Sequence, residues 1–192
     1  MTIRPFLVAA AAATLAGCGL GGAKPPPTLM RLSPATEPAA SSRTAPTAQA
    51  ITVSIPAMVE ELNTPRVPVR TADTEVTYLK NAQWVDVPAP LFARLLSDTI
   101  AARTGRVVLD PRQFAFDPGQ RLTGTLRAFG LDAGRMEAVV VYDAAIARGP
   151  DAVETRRFEA RVPVTAIDAV SAPVALNSAA NRVAEEVATW VG

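Results

Sequence analysis

The sequence predicts an α+β fold in which a mostly antiparallel sheet is covered on one face by two amphipathic helices. Three apolar or alternating segments follow one another across 120–164 and are separated by short turn sequences, a pattern typical of an antiparallel meander. Two further segments, 88–104 and 171–191, repeat their apolar residues at helical spacing. Because only the sheet could bury these stripes, both helices must lie on it, in a two-layer sandwich with open edges.

Before the first helix, the chain shows one strand and one hairpin. Residues 51–55 alternate apolar and polar side chains and end at a proline, as strands do. Residues 67–70 and 75–79 flank a polar turn sequence, which predicts a hairpin. Pro68 cannot donate to a strand ladder, so the first hairpin strand should lie at an edge or contain a bulge.

The first helix and the meander have well-marked ends. Two prolines fit the first turn of helix 88–104, and Gly105 provides its stop. In the meander, the strand 120–131 is predicted to place Leu122, Leu126 and Ala128 on one face. Residues 136–147 are apolar on both faces, as expected of a central strand, and 153–164 alternate again.

The last helix, 171–191, carries one continuous apolar stripe. The residues that form this stripe are Leu176, Ala180, Val183, Val187 and Trp190. Their steps of four and three residues are those of one helical face, so this helix is expected to pack along the sheet.

Composition excludes several classes of function. The chain has 192 residues, 19 basic and 18 acidic, and no histidine. Without histidine the usual general base and the commonest metal ligand are both missing, so neither a catalytic nor a metal site is expected. A near-neutral chain offers no broad basic surface for nucleic acid.

The amino terminus has the features of a secretion signal over residues 1–17. Arg4 supplies a positive charge, and 6–15 form an uncharged apolar stretch. This stretch is too short to span a bilayer, which needs roughly 20 residues. The alternative is an ordinary buried helix followed by a chance cysteine, but alanine-rich helices rarely stop at a Gly-Cys-Gly run such as the one around Cys18.

Leu15-Ala16-Gly17-Cys18 resembles the lipobox of bacterial lipoproteins. The resemblance implies cleavage between Gly17 and Cys18, diacylglycerol on the Cys18 sulfur and an acyl chain on the freed amine. Two or three chains would anchor the protein firmly, whereas one holds only weakly. Gly19 stands where aspartate commonly signals inner-membrane retention, which favours the periplasmic face of the outer membrane.

Between this cysteine and the first strand, the chain is mostly linker. Residues 18–27 are rich in glycine and proline and are predicted to be a tether. A short apolar patch lies within 28–33, and 35–50 is a low-complexity linker of alanine, serine, threonine and proline. From pattern alone, either 28–33 form a detached first strand or the folded domain begins near Ile51.

The order of these pieces resembles the ABC-type transport auxiliary lipoproteins, the family that includes PqiC-like intermembrane transport lipoproteins. The resemblance rests on the lipobox, on "LMRLSP", on "ITVSIPAMVEELNTPRVPVRT", and on "EVTYLKNAQWVDVPAPLFARLLSDTIAARTG". It continues through "RLTGTLRAFGLDAGRMEAVVVYDAAIA" and "RRFEARVPV" to the last helix. It implies one domain over 28–192 in which 28–33 are a true strand of the sheet.

The resemblance also implies a function. Family members are non-catalytic accessories in the outer membrane that dock a periplasmic protein with MCE domains, beside an ABC transporter that moves phospholipid or other hydrophobic molecules. Two alternatives stay open: a pilot-like assembly or scaffold lipoprotein of the cell envelope, and a periplasmic lipid carrier with its own cavity. Open sheet edges also permit self-association or strand addition by a partner.

Three residues are candidate contacts with a partner or with lipid. Trp84 lies in an irregular stretch before the first helix, and Tyr78 and Arg70 belong to the predicted hairpin. An exposed tryptophan serves interfaces well, but Trp84 could equally be a core aromatic. Arg70 could equally be a salt-bridged edge charge.

Overall fold

The computed structural model describes residues 28–39, 44–46, 49–111, 119–147 and 152–192. Within these ranges the chain forms one eight-stranded mixed sheet and two α-helices, so the predicted α+β class and two-layer architecture are confirmed. The strands are β1 Ile51–Val53, β2 Ala57–Met58, β3 Arg66–Ala72, β4 Glu75–Gln83, β5 Val108–Leu109, β6 Gln120–Asp132, β7 Glu137–Ala147 and β8 Val153–Pro163. The helices are α1 Pro88–Thr104 and α2 Ser171–Val191.

Strand β6 organises the sheet. One edge of β6 pairs with β7, which pairs in turn with β8, and both pairings are antiparallel, as the meander predicted. The other edge of β6 pairs in parallel with β1, β2 and β3, one after the other along its length. Antiparallel β4 then extends β3, and parallel β5 extends β1. The sheet is therefore mixed, and its parallel pairings were not predicted.

A bulge in β6 changes which side chains face the helices. Leu122 and Leu126 are fully buried, as expected. Between Leu126 and Ala128 the pairing with β7 shifts by one residue, so Phe129 takes the buried position that Ala128 would have occupied. The prediction that Ala128 shares the face of the two leucines is wrong, because the extra residue in a bulge reverses the alternation that follows it.

Close contact with β6 explains the conformation of the predicted hairpin. β3 is not an edge strand, because it pairs with both β4 and β6. Pro68 follows an irregularity in the β3–β4 register, which confirms the bulge that its missing N–H requires. A Cβ on Gly130 would lie 2.8 Å from the Cγ atom of Pro68 and closer still to its carbonyl oxygen. Only glycine lets the two strands approach this closely.

Both helices have the predicted boundaries and pack side by side. α1 ends at Gly105, whose φ of 69° is in the left-handed region and whose N–H donates to the Ala101 carbonyl at 3.2 Å. The carboxyl ends of the two helices are adjacent, since Arg103 and Glu185 form an ion pair at 3.7 Å. Arg106 donates at 2.8 Å to the Val191 carbonyl at the end of α2.

Aromatic rings fill the layer between the sheet and the helices. Trp84, Phe92, Phe129 and Tyr142 are each at most 1 % exposed. Edge-to-face contacts join them in series, with ring centroids 5.3 Å apart for Trp84 and Phe129, 6.2 Å for Phe129 and Phe92, and 5.3 Å for Phe92 and Tyr142. Such contacts add to the free energy of burial, so this part of the core is close-packed.

Candidate functional site

The predicted signal peptide, Cys18 and the tether over 18–27 lie outside the described residues, so lipid attachment at Cys18 stays a prediction. The first described segment, 28–39, is named here the N-terminal strap. Met30 forms a single parallel bridge with Trp84, in which its N–H donates at 2.7 Å to the Gln83 carbonyl and its carbonyl accepts from Val85 at 2.9 Å. Since Met30 is only 8 % exposed, the folded domain begins before Ile51. The strand implied over 28–33 is reduced to this single bridge, because the Ser33 N–H donates to Asn177 and not to a neighbouring strand.

Two asparagines on α2 hold the strap. Asn181 accepts from the Ala35 N–H at 2.7 Å and donates to the Ser33 carbonyl at 2.9 Å. Asn177, one turn earlier, accepts from the Ser33 N–H at 2.9 Å. Asn181 is 7 % exposed, and a buried amide of this kind is stabilising only while its hydrogen bonds are satisfied. The amide pattern therefore fixes where the strap crosses α2.

Trp84 lies in the core, which is the alternative considered for it. Its ring is 1 % exposed and packs against Phe129. Its indole N–H is buried without a hydrogen-bond partner among the residues that the structure describes. In this conformation the ring presents no surface to a partner, while the backbone of Trp84 forms the bridge to Met30.

Tyr78 is half-buried and has a structural role within the hairpin. Its hydroxyl donates to the Glu61 carbonyl at 3.3 Å. The Arg66 guanidinium lies over its ring, 4.0 Å from the centroid, within the range of a cation–π interaction. Both contacts fix β4 against β3 and the short 3-10 turn over Glu60–Leu62.

Arg70 is exposed, and it is the candidate that the structure leaves at the surface. It lies on β3 opposite Asp132 of β6, and its carbonyl accepts from the Ala133 N–H at 2.9 Å. Its side chain lines an open hollow of about 310 Å³ together with Asp132, Arg135 and Arg161. Trp84, Tyr78 and Arg70 therefore do not form one site, since one lies in the core, one within the hairpin and one at its exposed end.

A cluster of charges on the outer face of the sheet was not predicted. Asp143 accepts hydrogen bonds from Arg157 at 2.6 Å and from Arg127 at 2.9 Å. These hydrogen bonds lower the pKa of Asp143 to about 2, and the one from Arg157 has the larger effect. The three side chains come from three neighbouring strands, so the pairing register of the meander is the only signal that could have located the cluster.

The start of α2 is held by a carboxylate. Asp168 accepts from the backbone N–H groups of Ser171 at 2.7 Å and of Val170 at 3.0 Å. These hydrogen bonds lower the pKa of Asp168, and the one from Ser171 has the largest effect. A charged group at this position satisfies free amides of the first helical turn and interacts favourably with the helix dipole.

Two serines, whose hydroxyls are the kind of group that can act as a nucleophile, make ordinary structural contacts. Ser97 donates to the Ala93 carbonyl one turn earlier in α1 at 2.9 Å, and Ser171 lies 3.1 Å from the Thr165 hydroxyl. Across the described ranges, no group of three or more Asp, Glu, Cys or His residues is placed to hold a metal ion.

Solved structures of other proteins identify the fold of this chain, and a family model identifies its family. The fold is that of solved proteins related only distantly in sequence. One is protein XCC0632 from Xanthomonas campestris, of the family DUF330, with a TM-score of 0.67 and 18% identity over 85% of this chain and 94% of that chain. Another, titled only as an uncharacterized protein, has a TM-score of 0.67 and 13% identity over 86% of this chain and 100% of that chain. At these identities the likeness shows the fold alone.

The family model of the ABC-type transport auxiliary lipoprotein component matches residues 31–188. The chain belongs to this family, as the sequence resemblance predicted, and is thus an auxiliary lipoprotein of ABC-type transport, of a membrane-anchored kind. A comparison with proteins of curated function finds no match. Neither helix in the described part of the chain is both long enough and apolar enough to cross a membrane.

Proposed function

We propose that this chain is a non-catalytic, outer-membrane accessory of an ABC transport system that moves phospholipid or other hydrophobic molecules across the periplasm. In this proposal the folded domain docks the periplasmic MCE component. The observation that carries it is the family match over residues 31–188. This match begins in the N-terminal strap and ends in α2, so it covers nearly all of the described fold.

The anchor is proposed to be lipid on Cys18. Gly17 and Cys18 mark the cleavage site, and Gly19 favours transfer to the outer membrane. The strap is already bound to the domain at Met30, so only a short tether separates the lipid from the fold. Nine residues, 19–27, reach at most roughly 30 Å when extended. The domain would therefore stay close to the membrane surface.

Docking is favoured over lipid carriage by the packing of the core. A carrier would need an apolar cavity of about 300–1,000 Å³ to enclose a ligand. Here the layer between sheet and helices is occupied by the series of rings from Trp84 to Tyr142, each at most 1 % exposed. An accessory that binds a transporter needs no such cavity, only an exposed surface.

Affinity purification of the full chain from its own membranes tests the proposal. Wild type should retain the MCE protein and the ABC permease after gentle detergent extraction. Cys18→Ser should remain uncleaved and lose metabolic palmitate labelling, while its folded domain should still bind the purified MCE protein in solution. Labelling that persists in Cys18→Ser would refute the anchor. Copurification with envelope proteins other than a transporter would favour the scaffold function, and stoichiometric lipid in native mass spectra would favour a carrier.

A further inference from the structure

Several elements meet at the end of the fold where β3 and β6 finish. These strands are parallel and end at Ala72 and Asp132. β8 also ends there, since Pro163 pairs with Glu137 at the start of β7, and α2 begins a short loop later. The β3–β4 tip (72–75), the β6–β7 turn (133–136) and the start of α2 (170–174) therefore share one end of the molecule, here named the tethered end.

The strap shows why this end lies toward the membrane anchor. The bridge between Met30 and Trp84 is parallel, so the strap runs in the direction of β4, away from the β3–β4 tip. Leu29 and Thr28, which precede the bridge, must then lie on the side of Met30 nearer to that tip. The nine residues that join Cys18 to Thr28 start from there.

Of the eight large apolar side chains that are exposed in the described ranges, four lie at the tethered end, and these include the two most exposed of all. Val170 and Val174, one helical turn apart, are 81% and 74% exposed, and Val76 and Met136 are 44% and 37% exposed. Water-exposed valines on adjacent turns gain free energy when they enter an apolar or interfacial environment. Within the described ranges, the opposite end carries a comparable residue in Val153, 72% exposed.

The charged residues at this end give no attraction to an anionic lipid surface. Acidic residues outnumber basic ones there, five to three. The acidic residues are Asp73, Glu75, Asp132, Glu137 and Asp168, and the basic ones are Arg70, Arg135 and Arg161. Asp132 and Asp168 accept hydrogen bonds from nearby backbone N–H groups. Attraction to anionic lipid cannot therefore hold this surface, and the apolar side chains must supply the binding energy.

We propose that the tethered end rests on the membrane that holds the lipid of Cys18, with Val170 and Val174 in the interfacial region of the bilayer. The flexible side chains of Arg70 and Arg135 reach lipid phosphates from the same end. This inference rests on the lipid anchor of the proposed function and adds an orientation to it. The contact leaves the opposite end, with the carboxyl terminus of α2, facing the periplasm.

Fluorescence of single-cysteine labels in vesicles tests this orientation. Val174→Cys and, as the matched control, Val153→Cys would be introduced into the full lipidated chain, because both positions are exposed valines on opposite ends. Each would carry an environment-sensitive NBD label in phosphatidylcholine vesicles with or without nitroxide-labelled lipid. The label at 174 should shift to the blue and lose emission to the nitroxide, at low and high salt alike. The label at 153 should do neither.

The outcomes separate this inference from the proposed function. Wild type should take up no label, because diacylglycerol in thioether linkage occupies the Cys18 sulfur, and labelling of wild type would overturn both the anchor and the orientation. If wild type is blocked and the 174 label is unquenched, or both labels are quenched equally, the membrane contact is wrong while the anchor stands. Failure to bind the MCE protein, with 174 quenched, would overturn only the proposed docking function.

Discussion

Replacing Trp84 by alanine removes the largest of the fully buried side chains and leaves a cavity beneath the strap. Large-to-small changes of this kind cost about 4 kcal/mol. Removal of the buried indole N–H, which has no partner among the described residues, recovers about 1 kcal/mol. The expected loss of about 3 kcal/mol lowers the melting temperature of a domain of this size by roughly 6–12 °C.

Thermal unfolding followed by circular dichroism measures this loss, and Trp84→Phe is the matched control. Phenylalanine keeps most of the ring contacts and deletes the unpaired N–H, so its cost should be about 1 kcal/mol. A Trp84→Ala variant that melts like wild type yet no longer binds the MCE protein would refute the core assignment. It would restore the hypothesis that Trp84 contacts a partner.

Three further predictions concern single contacts. Asn181→Ala removes three hydrogen bonds to the strap and α2, so it should cost about 2 kcal/mol and speed proteolysis within 35–50, while Asn177→Ala should cost about half as much. Cleavage of Asn181→Ala at the wild-type rate would contradict the role of Asn181 in holding the strap. Gly130→Ala places a Cβ against the backbone of β3 and should cost about 3 kcal/mol in urea unfolding, whereas Gly134→Ala, whose nearest atom is 3.5 Å away, should stay within about 0.5 kcal/mol. The pKa of Asp143 is lowered to about 2 by its arginine hydrogen bonds, so its charge stabilises the fold above the unfolded pKa of about 3.9 and this stability is lost as the pH falls through about 2. Asp143→Asn should therefore be less stable than wild type near pH 5, and this difference in unfolding free energy should shrink as the pH falls from about 5 to about 2. A difference that is constant over this range would disprove the ion cluster.

The two helices could be predicted with their ends because the signals are local. The prolines in the first turn, Gly105 after the last turn and the spacing of the apolar residues all lie within the helix or next to it. The meander was equally accessible, since each strand is followed by a turn sequence and then by its neighbour. Sequence periodicity reports such local features well.

The parallel partners of β6 could not be predicted in this way. β1 pairs with the start of β6 and β3 with its end, although both precede β6 by dozens of residues. The bulge at Arg127 was also missed, because Ala128 continues the alternation of Leu122 and Leu126 by one more step, although Phe129 and Leu131 then fall out of phase with it. Ala128 was therefore assigned to the wrong face.

For Trp84, Tyr78 and Arg70, the candidate contact residues, the sequence likewise predicted local features but not contacts between distant segments. The sequence could place Arg70 and Tyr78 on a hairpin, but not decide whether Trp84 faces the core or the surface. That choice depends on Phe129 and Met30, which lie far from Trp84 along the chain. The charge cluster around Asp143 depends likewise on the register of three strands.

The amino-acid sequence by itself determined the family, the helix boundaries and the expected lipid attachment at Cys18. The last two depend on adjacent residues, and the family on the order of segments along the chain. Only the tertiary structure decided how the strap is held against α2, that Trp84 is buried and that the exposed Val170 and Val174 lie at the tethered end. These features arise from contacts between distant segments, and the packing free energy of the whole sheet selects among the registers that the local sequence permits.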